Sequence, residues 1–211
     1  MALITGIRKS WFNGRDPIVH RTGVVVYTSD QLHDLDPRHI LRSIQYFSPY
    51  ELPEETHYRL VPLIGFVDKE KNRLMRFYLK DDQRWTIFHQ VDEMVLDQLP
   101  TNEAENRICL TQQIRASVVE RFGDLDKVFN PHAMALALSL NRIQCMLVNE
   151  EYPDTVFLPS WLMVDRNYVL PEPPVERVEW LQPFDVQKEI IMDHLSFHPL
   201  TITHLCTESK T

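Results

Sequence analysis

The amino-acid sequence predicts an α/β fold, a sandwich in which helices cover a mixed β-sheet. Three observations carry that expectation. Short runs rich in Val, Ile, Phe and Tyr, bounded by Gly, Pro, Asn or Asp, recur in both halves of the chain. A long central stretch and a second one near the C-terminus instead repeat their apolar residues at helical spacing. Strands, one long helix, more strands and a terminal helix are an order that packs helices on a sheet.

Taken in order, TGVVVYTS (22–29) is short and β-branched and reads as a buried strand. In DQLHDLDPRHILRSIQYF, Asp36 before Pro37 marks a helix start, because proline is tolerated in the first turn; Ile40, Leu41, Ile44 and Phe47 then repeat at helical spacing. HYRLVPLIGFVD and RLMRFYLK, joined by the charged turn KEKN, predict a β-hairpin. Pro62 lacks an N–H for the ladder, which places it at a sheet edge or a bulge. RWTIFHQVDEM reads as a third strand.

The polar stretch DQLPTNEAEN offers Asn102 as a helix cap, with Glu105 three residues on completing a capping box. Ile108, Ile114, Val118 and Phe122 lie mostly on one side of the helix that follows, and Gly123 is placed to end it. ALALSLNRIQCMLVNE, DTVFLPSWLMVD and ERVEWLQP return to strands, with PEPPVE (171–176) as a stiff surface connector. Asp185 then caps a last helix whose Val186, Ile190, Ile191 and Leu195 are expected on the sheet. The resulting organisation is an N-terminal arm (1–21), a single domain (22–206) and a C-terminal tail (207–211).

Of the 211 residues, 44% are hydrophobic and 25% charged, enough apolar material for one sizeable core. A net charge of -8 excludes broad electrostatic binding to DNA, which depends on Lys and Arg displacing condensed counterions. Three widely spaced cysteines, Cys109, Cys145 and Cys206, provide neither a disulfide framework nor a metal knuckle, and point to a reducing compartment. Polar residues arrive too early for a signal peptide, and no run is long enough to cross a bilayer; the expectation is a cytoplasmic protein without a membrane partner.

Several constellations bear on function. Arg8, Lys9 and Arg15 surround Trp11 and Phe12, a combination that suits stacking on a base or docking on a protein partner if the two rings are exposed. Asp92, Glu93, Asp97, Glu103 and Glu105 form one acidic stretch, and Glu150 with Glu151 another; both are also what solvated loops look like. His194 and His198 stand at i and i+4, the spacing that puts two imidazoles on one helix face. A GxSxG elbow and a glycine-rich phosphate cradle are both missing, which removes the Ser-His-Asp hydrolases and the P-loop and dinucleotide folds.

ELPEETHYRLVPLIGF, RLMRFYLK, RWTIFHQVDE (with His89 and Asp92) and IQCMLVNEEYPDTVFLPSWLMV, in that order, resemble the Nudix hydrolases, especially their bacterial branch of predicted phosphoesterases. The resemblance spans roughly residues 40–185 and implies an α/β/α sandwich. The family's motif is a glycine, a glutamate six residues later, and Arg-Glu-x-x-Glu-Glu on a helix. With its arginine at Arg115, the last glutamate falls on Glu120, while Thr101, Arg107, Ala116 and Val119 occupy the other positions. Shifting the alignment to bring in Glu103 or Glu105 does not restore the adjacent pair of glutamates.

By this resemblance Glu120 is a metal ligand and Arg115 orients its neighbours, with Asp92, Glu150 and Glu151 as substitute ligands for Mg²⁺ or Mn²⁺. One helix carboxylate is few for an ion that demands octahedral oxygen coordination. The sequence therefore suggests a degenerate member acting as a binding or regulatory module for a nucleotide-like ligand, RNA or a protein partner, with His89 among its ligand- or partner-binding residues. Two alternatives stay open: a divergent metal-dependent hydrolase of nucleoside diphosphates linked to another moiety, and a structural subunit of a larger bacterial or phage assembly.

Overall fold

In the computed structural model, residues 2–14, 18–19, 24–28, 44–68, 72–79, 81–91, 93–95, 98–122, 145–149, 152–163 and 177–207 are described. Along the chain they form β1 (Ala2–Arg8), β2 (Ile18–Val19), β3 (Val24–Thr28), β4 (Gln45–Phe47), β5 (His57–Asp68), β6 (Arg73–Leu79), β7 (Arg84–Thr86), β8 (His89–Gln90), β9 (Met94–Val95), the helix α1 (Glu103–Phe122), β10 (Cys145–Asn149), β11 (Tyr152–Met163), β12 (Arg177–Leu181), and the helices α2 (Pro183–Met192) and α3 (Pro199–Thr207). The helix expected from Asp36 and the connector at 171–176 lie outside the described residues, as does Gly123.

The sheet runs β12-β6-β5-β11-β10-β3-β2. β11 lies parallel to β5 and the other described pairs are antiparallel, so the sheet is mixed. β5 and β6 form the predicted hairpin, with Val67 opposite Leu74 and Asp68 opposite Arg73. Pro62 is not at an edge. β11 flanks β5 on one side, and on the other Pro62 falls between the residues paired to β1, which end at Leu60, and those paired to β8, which begin at Leu63. No ladder bond is required of its nitrogen at that handover, and its carbonyl accepts from Val91 N–H at 3.0 Å.

Both faces of the central strands are apolar, because successive side chains point to opposite sides. Leu60, Ile64 and Phe66 of β5, Met75 and Phe77 of β6 and Val156 and Leu158 of β11 share one core with Leu110, Ile114, Val118 and Phe122 of α1. Val61 and Leu63, Leu74 and Phe157 point the other way, into a second core closed by Val186 and Ile190 of α2 and Leu200 and Leu205 of α3. The architecture is an α/β/α sandwich. Gly65 sits in the sheet where a Cβ would come within 2.4 Å of the Trp161 ring, so this close approach admits no side chain.

Phe122 fixes α1 to the sheet. It is fully buried and meets Phe66 and Phe77 edge-on, with centroids 5.0 and 5.3 Å away. Aromatic pairs in this geometry add roughly 0.5–1.5 kcal/mol to what burial of their area contributes. The buried stripe is 110, 114, 118 and 122; Ile108, which the sequence reading placed in it, is 55% exposed. Two residues before Leu110 lies roughly 200° around a helix of 3.6 residues per turn.

The N-terminus is not an arm. β1 pairs with β5 from Thr5↔Leu60 to Arg8↔His57, and also with β4 and β9. Phe47, counted above in a helical repeat, belongs to β4. RWTIFHQVDEM breaks into three short strands rather than one. Near the C-terminus, Pro183 opens α2 after Gln182, so Asp185 falls in the first turn instead of capping it. Val186 and Ile190 are buried as expected, but Ile191 lies on the opposite side of α2 and is 80% exposed, and Leu195, beyond the end of α2 in a short 3₁₀ turn (His194–Ser196), is 74% exposed.

A buried charge cluster ties this C-terminal layer to the sheet. Arg76 of β6 is 6% exposed; its guanidinium bonds to Glu179 of β12 and Glu189 of α2 and lies 4.3 Å from the Trp85 ring centroid. Burial alone would raise the pKa of Glu179, but hydrogen bonding and charge from Arg76, with help from Arg177, hold it below its ordinary value. Among the described residues no helix is long and apolar enough to cross a membrane.

Candidate functional site

The expected site begins with α1. Asn102 Oδ1 accepts from Glu105 N–H at 3.0 Å, which caps the helix as the sequence predicted. The reciprocal half of the box differs: the Glu105 carboxylate reaches Thr101, accepting from its N–H at 2.7 Å and its hydroxyl at 2.8 Å. These bonds to Thr101, chiefly the backbone one, hold the Glu105 carboxyl below the ordinary carboxylate range. Glu105 is therefore committed to the helix terminus.

Farther along, Arg115, Ala116 and Glu120 are exposed and Val119 is half-buried. They occupy the side of α1 turned away from the Leu110, Ile114, Val118 and Phe122 stripe. The inner margin of that side is in contact with the sheet: His89 Nε2 and the Ser117 hydroxyl are 2.8 Å apart, and the imidazole stands edge-on to Phe122 at 5.4 Å. The structure thus joins His89 to the helix that carries Arg115 and Glu120.

The donor set can be compared with what a divalent cation needs. Ala116 and Val119 supply no side-chain oxygen, and among the described residues no group of three or more His, Cys, Asp or Glu side chains is placed to hold a metal ion. Magnesium needs several hard oxygens in near-octahedral array. The described donors do not fit it. Asp92, Glu150 and Glu151 lie outside the described residues, as do the side chains of Glu103 and Arg107.

A hollow of about 420 Å³ opens at the N-terminal end of α1, lined by Ile44, Tyr46, Leu99, Thr101, Asn102 and Asn106 among others. None of those side chains is ionisable apart from the Tyr46 phenol. Burial, then the neighbouring Cys109, push its pKa well above normal, so the hydroxyl stays protonated. That hydroxyl is buried and meets no hydrogen-bond partner among the described residues. The Cys109 thiol is itself pushed up by burial and by Glu105, as an unreactive thiol would be.

The second expected cluster is rearranged. Phe12 is 6% exposed and edge-on to Tyr58 at 5.5 Å, and Trp11 packs against the same core, so the pair is not an exposed stacking platform. Both belong to a short 3₁₀ turn, Lys9–Phe12, that continues β1 and folds its rings inward. Lys9 pairs with Asp154 at 2.7 Å and lies over the Tyr58 ring, while Arg8 is exposed and Arg15 lies outside the described residues. His194 and His198 do not share a helix: α2 stops at Met192 and α3 starts at Pro199, leaving His198 buried between them with its N–H bonded to the Trp85 carbonyl at 2.8 Å.

The sequence reading missed His57. It is 8% exposed, next to Arg8 in the β1/β5 register, and Thr56 Oγ1 lies 2.8 Å from its Nδ1. Only the pairing of β1 with β5 brings it beside Arg8, and no local signal announces that pairing.

Among solved structures, the crystal structure of Tm1382, provisionally described as a Nudix hydrolase, is similar to this chain over 88% of both, with a TM-score of 0.52 and 11% sequence identity. At that identity the likeness establishes a Nudix-like fold. No protein-family model matches the chain, and no curated protein matches it.

Proposed function

We propose that this Nudix-like fold serves as a binding or regulatory module for a nucleotide-like ligand and does not hydrolyse pyrophosphates in the usual manner. The observation that carries the reading is the outward side of α1, where Arg115, Ala116, Val119 and Glu120 present a single carboxylate. A pyrophosphate-cleaving centre needs several such groups to hold its metal, which neutralises charge and activates water. Glu120 is the residue that would ligate Mg²⁺ or Mn²⁺ in a hydrolase of this fold, and Arg115 the one that would orient it. The neutral hollow beside Tyr46 and Asn106 supports the binding half of the proposal: its volume of about 420 Å³ falls in the range of ligand pockets, and its hydrogen-bonding groups suit an uncharged base or sugar.

The test is ligand-dependent thermal stabilisation of the whole chain across nucleotides, dinucleotides and capped RNA. A ligand at a hundredfold excess over its Kd should add about 2.7 kcal/mol. No stabilisation by any of them overturns the nucleotide-like ligand and leaves a protein partner. Parallel incubations with Mn²⁺ should release no phosphorylated product. Release that Glu120→Gln abolishes would show an active hydrolase and refute the non-catalytic reading.

A further inference from the structure

A second hollow, of about 600 Å³, lies where the end of β1 meets the start of β5, lined by Arg8, Lys9, Ser10, Asn13, Thr56 and His57, with Glu55 also on its wall. Along β5, His57 is seven residues from Ile64, the partner of His89; at about 3.3 Å per strand residue this is roughly 23 Å from the His89–Ser117 pair. The hollow is therefore separate from the outward side of α1.

Its chemistry is that of an anion host. The chain as a whole is acidic, at -8, yet among the described residues no carboxylate forms an ion pair with Arg8. Lys9 adds a second positive charge, partly offset by Asp154 at 2.7 Å. Ser10 and Asn13 contribute neutral polar side chains that can donate hydrogen bonds. The positive field reaches the wall itself: after burial, Arg8 is the reason that the His57 pKa is lowered.

His57 supplies an independent sign of an unmet partner. The Thr56 hydroxyl can donate to the Pro53 carbonyl at 3.3 Å and so accept from His57 Nδ1–H at 2.8 Å. Whichever tautomer the Thr56 contact selects, Nε2 is buried and meets no hydrogen-bond partner among the described residues. A buried polar atom left in this state is costly, and in folded proteins most such atoms find a partner. We propose that the hollow binds a phosphomonoester. Its charged oxygens suit Arg8, Ser10 and Asn13, and its negative charge favours the protonated form of the His57 imidazole on the same wall. The volume exceeds what bare phosphate fills and leaves room for the esterified group.

The inference does not depend on whether the α1 side binds a nucleotide, and its test reads different residues. The isotope-labelled full chain is titrated with inorganic phosphate and, separately, with ribose 5-phosphate, at constant ionic strength against chloride. The amides of Arg8, Ser10, Asn13 and His57 should shift along one saturable curve while those of Arg115, Ser117 and Glu120 stay still. Equal affinity for the two probes identifies free phosphate as the ligand, and tighter binding of ribose 5-phosphate identifies an organic monoester. Arg8→Gln, an exposed change, should weaken binding about tenfold or more, the usual loss when a charge-assisted hydrogen bond is removed. Asn13→Ala should weaken it less, with an unchanged melting temperature in both variants. Shifts that do not saturate, or an affinity indifferent to Arg8→Gln, would overturn the site.

Discussion

Arg76 and Arg8 are both arginines on strands of one sheet, and their surroundings put them to opposite uses. Arg76 is buried, with a carboxylate from β12, another from α2 and the Trp85 ring around its guanidinium. Each of its three guanidinium nitrogens is already bonded to one of those carboxylates. Arg8 ends β1, which pairs with β5 and not with β6, at an open hollow, with neutral donors beside it and no carboxylate paired to it among the described residues. A saturated buried charge holds elements together, and breaking it strands its partners; an unsaturated exposed charge adds little to stability and stays free to bind.

Substituting the two arginines gives the largest contrast. Arg76→Ala leaves Glu189 without its cation and Glu179 with Arg177 alone, and because Glu189 is 47% exposed the expected loss is discounted to about 3 kcal/mol of unfolding free energy, measured by denaturant titration. A loss below about 1 kcal/mol would mean that the cluster is not what anchors α2.

Acid titration of stability separates the regions more finely. The lowered folded pKa of Glu179 contributes stability that is complete above its ordinary value of 4.5 and is lost as pH falls below it toward the folded pKa. His57 also has a lowered folded pKa, so below its ordinary value of 6.5 the unfolded chain binds the proton first and stability begins to fall there. The expected profile declines in two windows. His57→Gln should remove the upper one and Arg76→Ala should flatten the lower, both read from chemical denaturation across pH 3 to 8, a range of about two units either side of these values. The smallest effect belongs to Arg8→Gln, whose stability should stay within about 0.5 kcal/mol of the parent chain; a larger loss would show that Arg8 is structural after all.

Local chemistry made part of this molecule legible. The β5/β6 hairpin was visible because KEKN separates two β-rich runs, and α1 because Asn102, Glu105, Ile114, Val118 and Phe122 fall at cap and stripe positions. The single-carboxylate face of α1 follows from residue identity at helical spacing. Other readings failed where the deciding partner is distant in sequence. Trp11 and Phe12 looked like exposed rings beside basic residues until Tyr58 and the core received them. Ile191 and Leu195 fitted an apolar stripe, but Val186 and Ile190 take the face of α2 that the sheet covers, and the helix ends at Met192, before Leu195.

By itself, then, the order of residues determined where the chain alternates, where it coils, and how few oxygens α1 can offer a cation. Those properties depend on neighbours within a few positions, through side-chain direction and capping. Which arginine is locked and which is open was decided only by tertiary structure. Strand pairing places His57 beside Arg8, and packing of α2 brings Glu189 to Arg76; both are long-range choices, stabilised only when the whole sheet and its two covering layers are assembled.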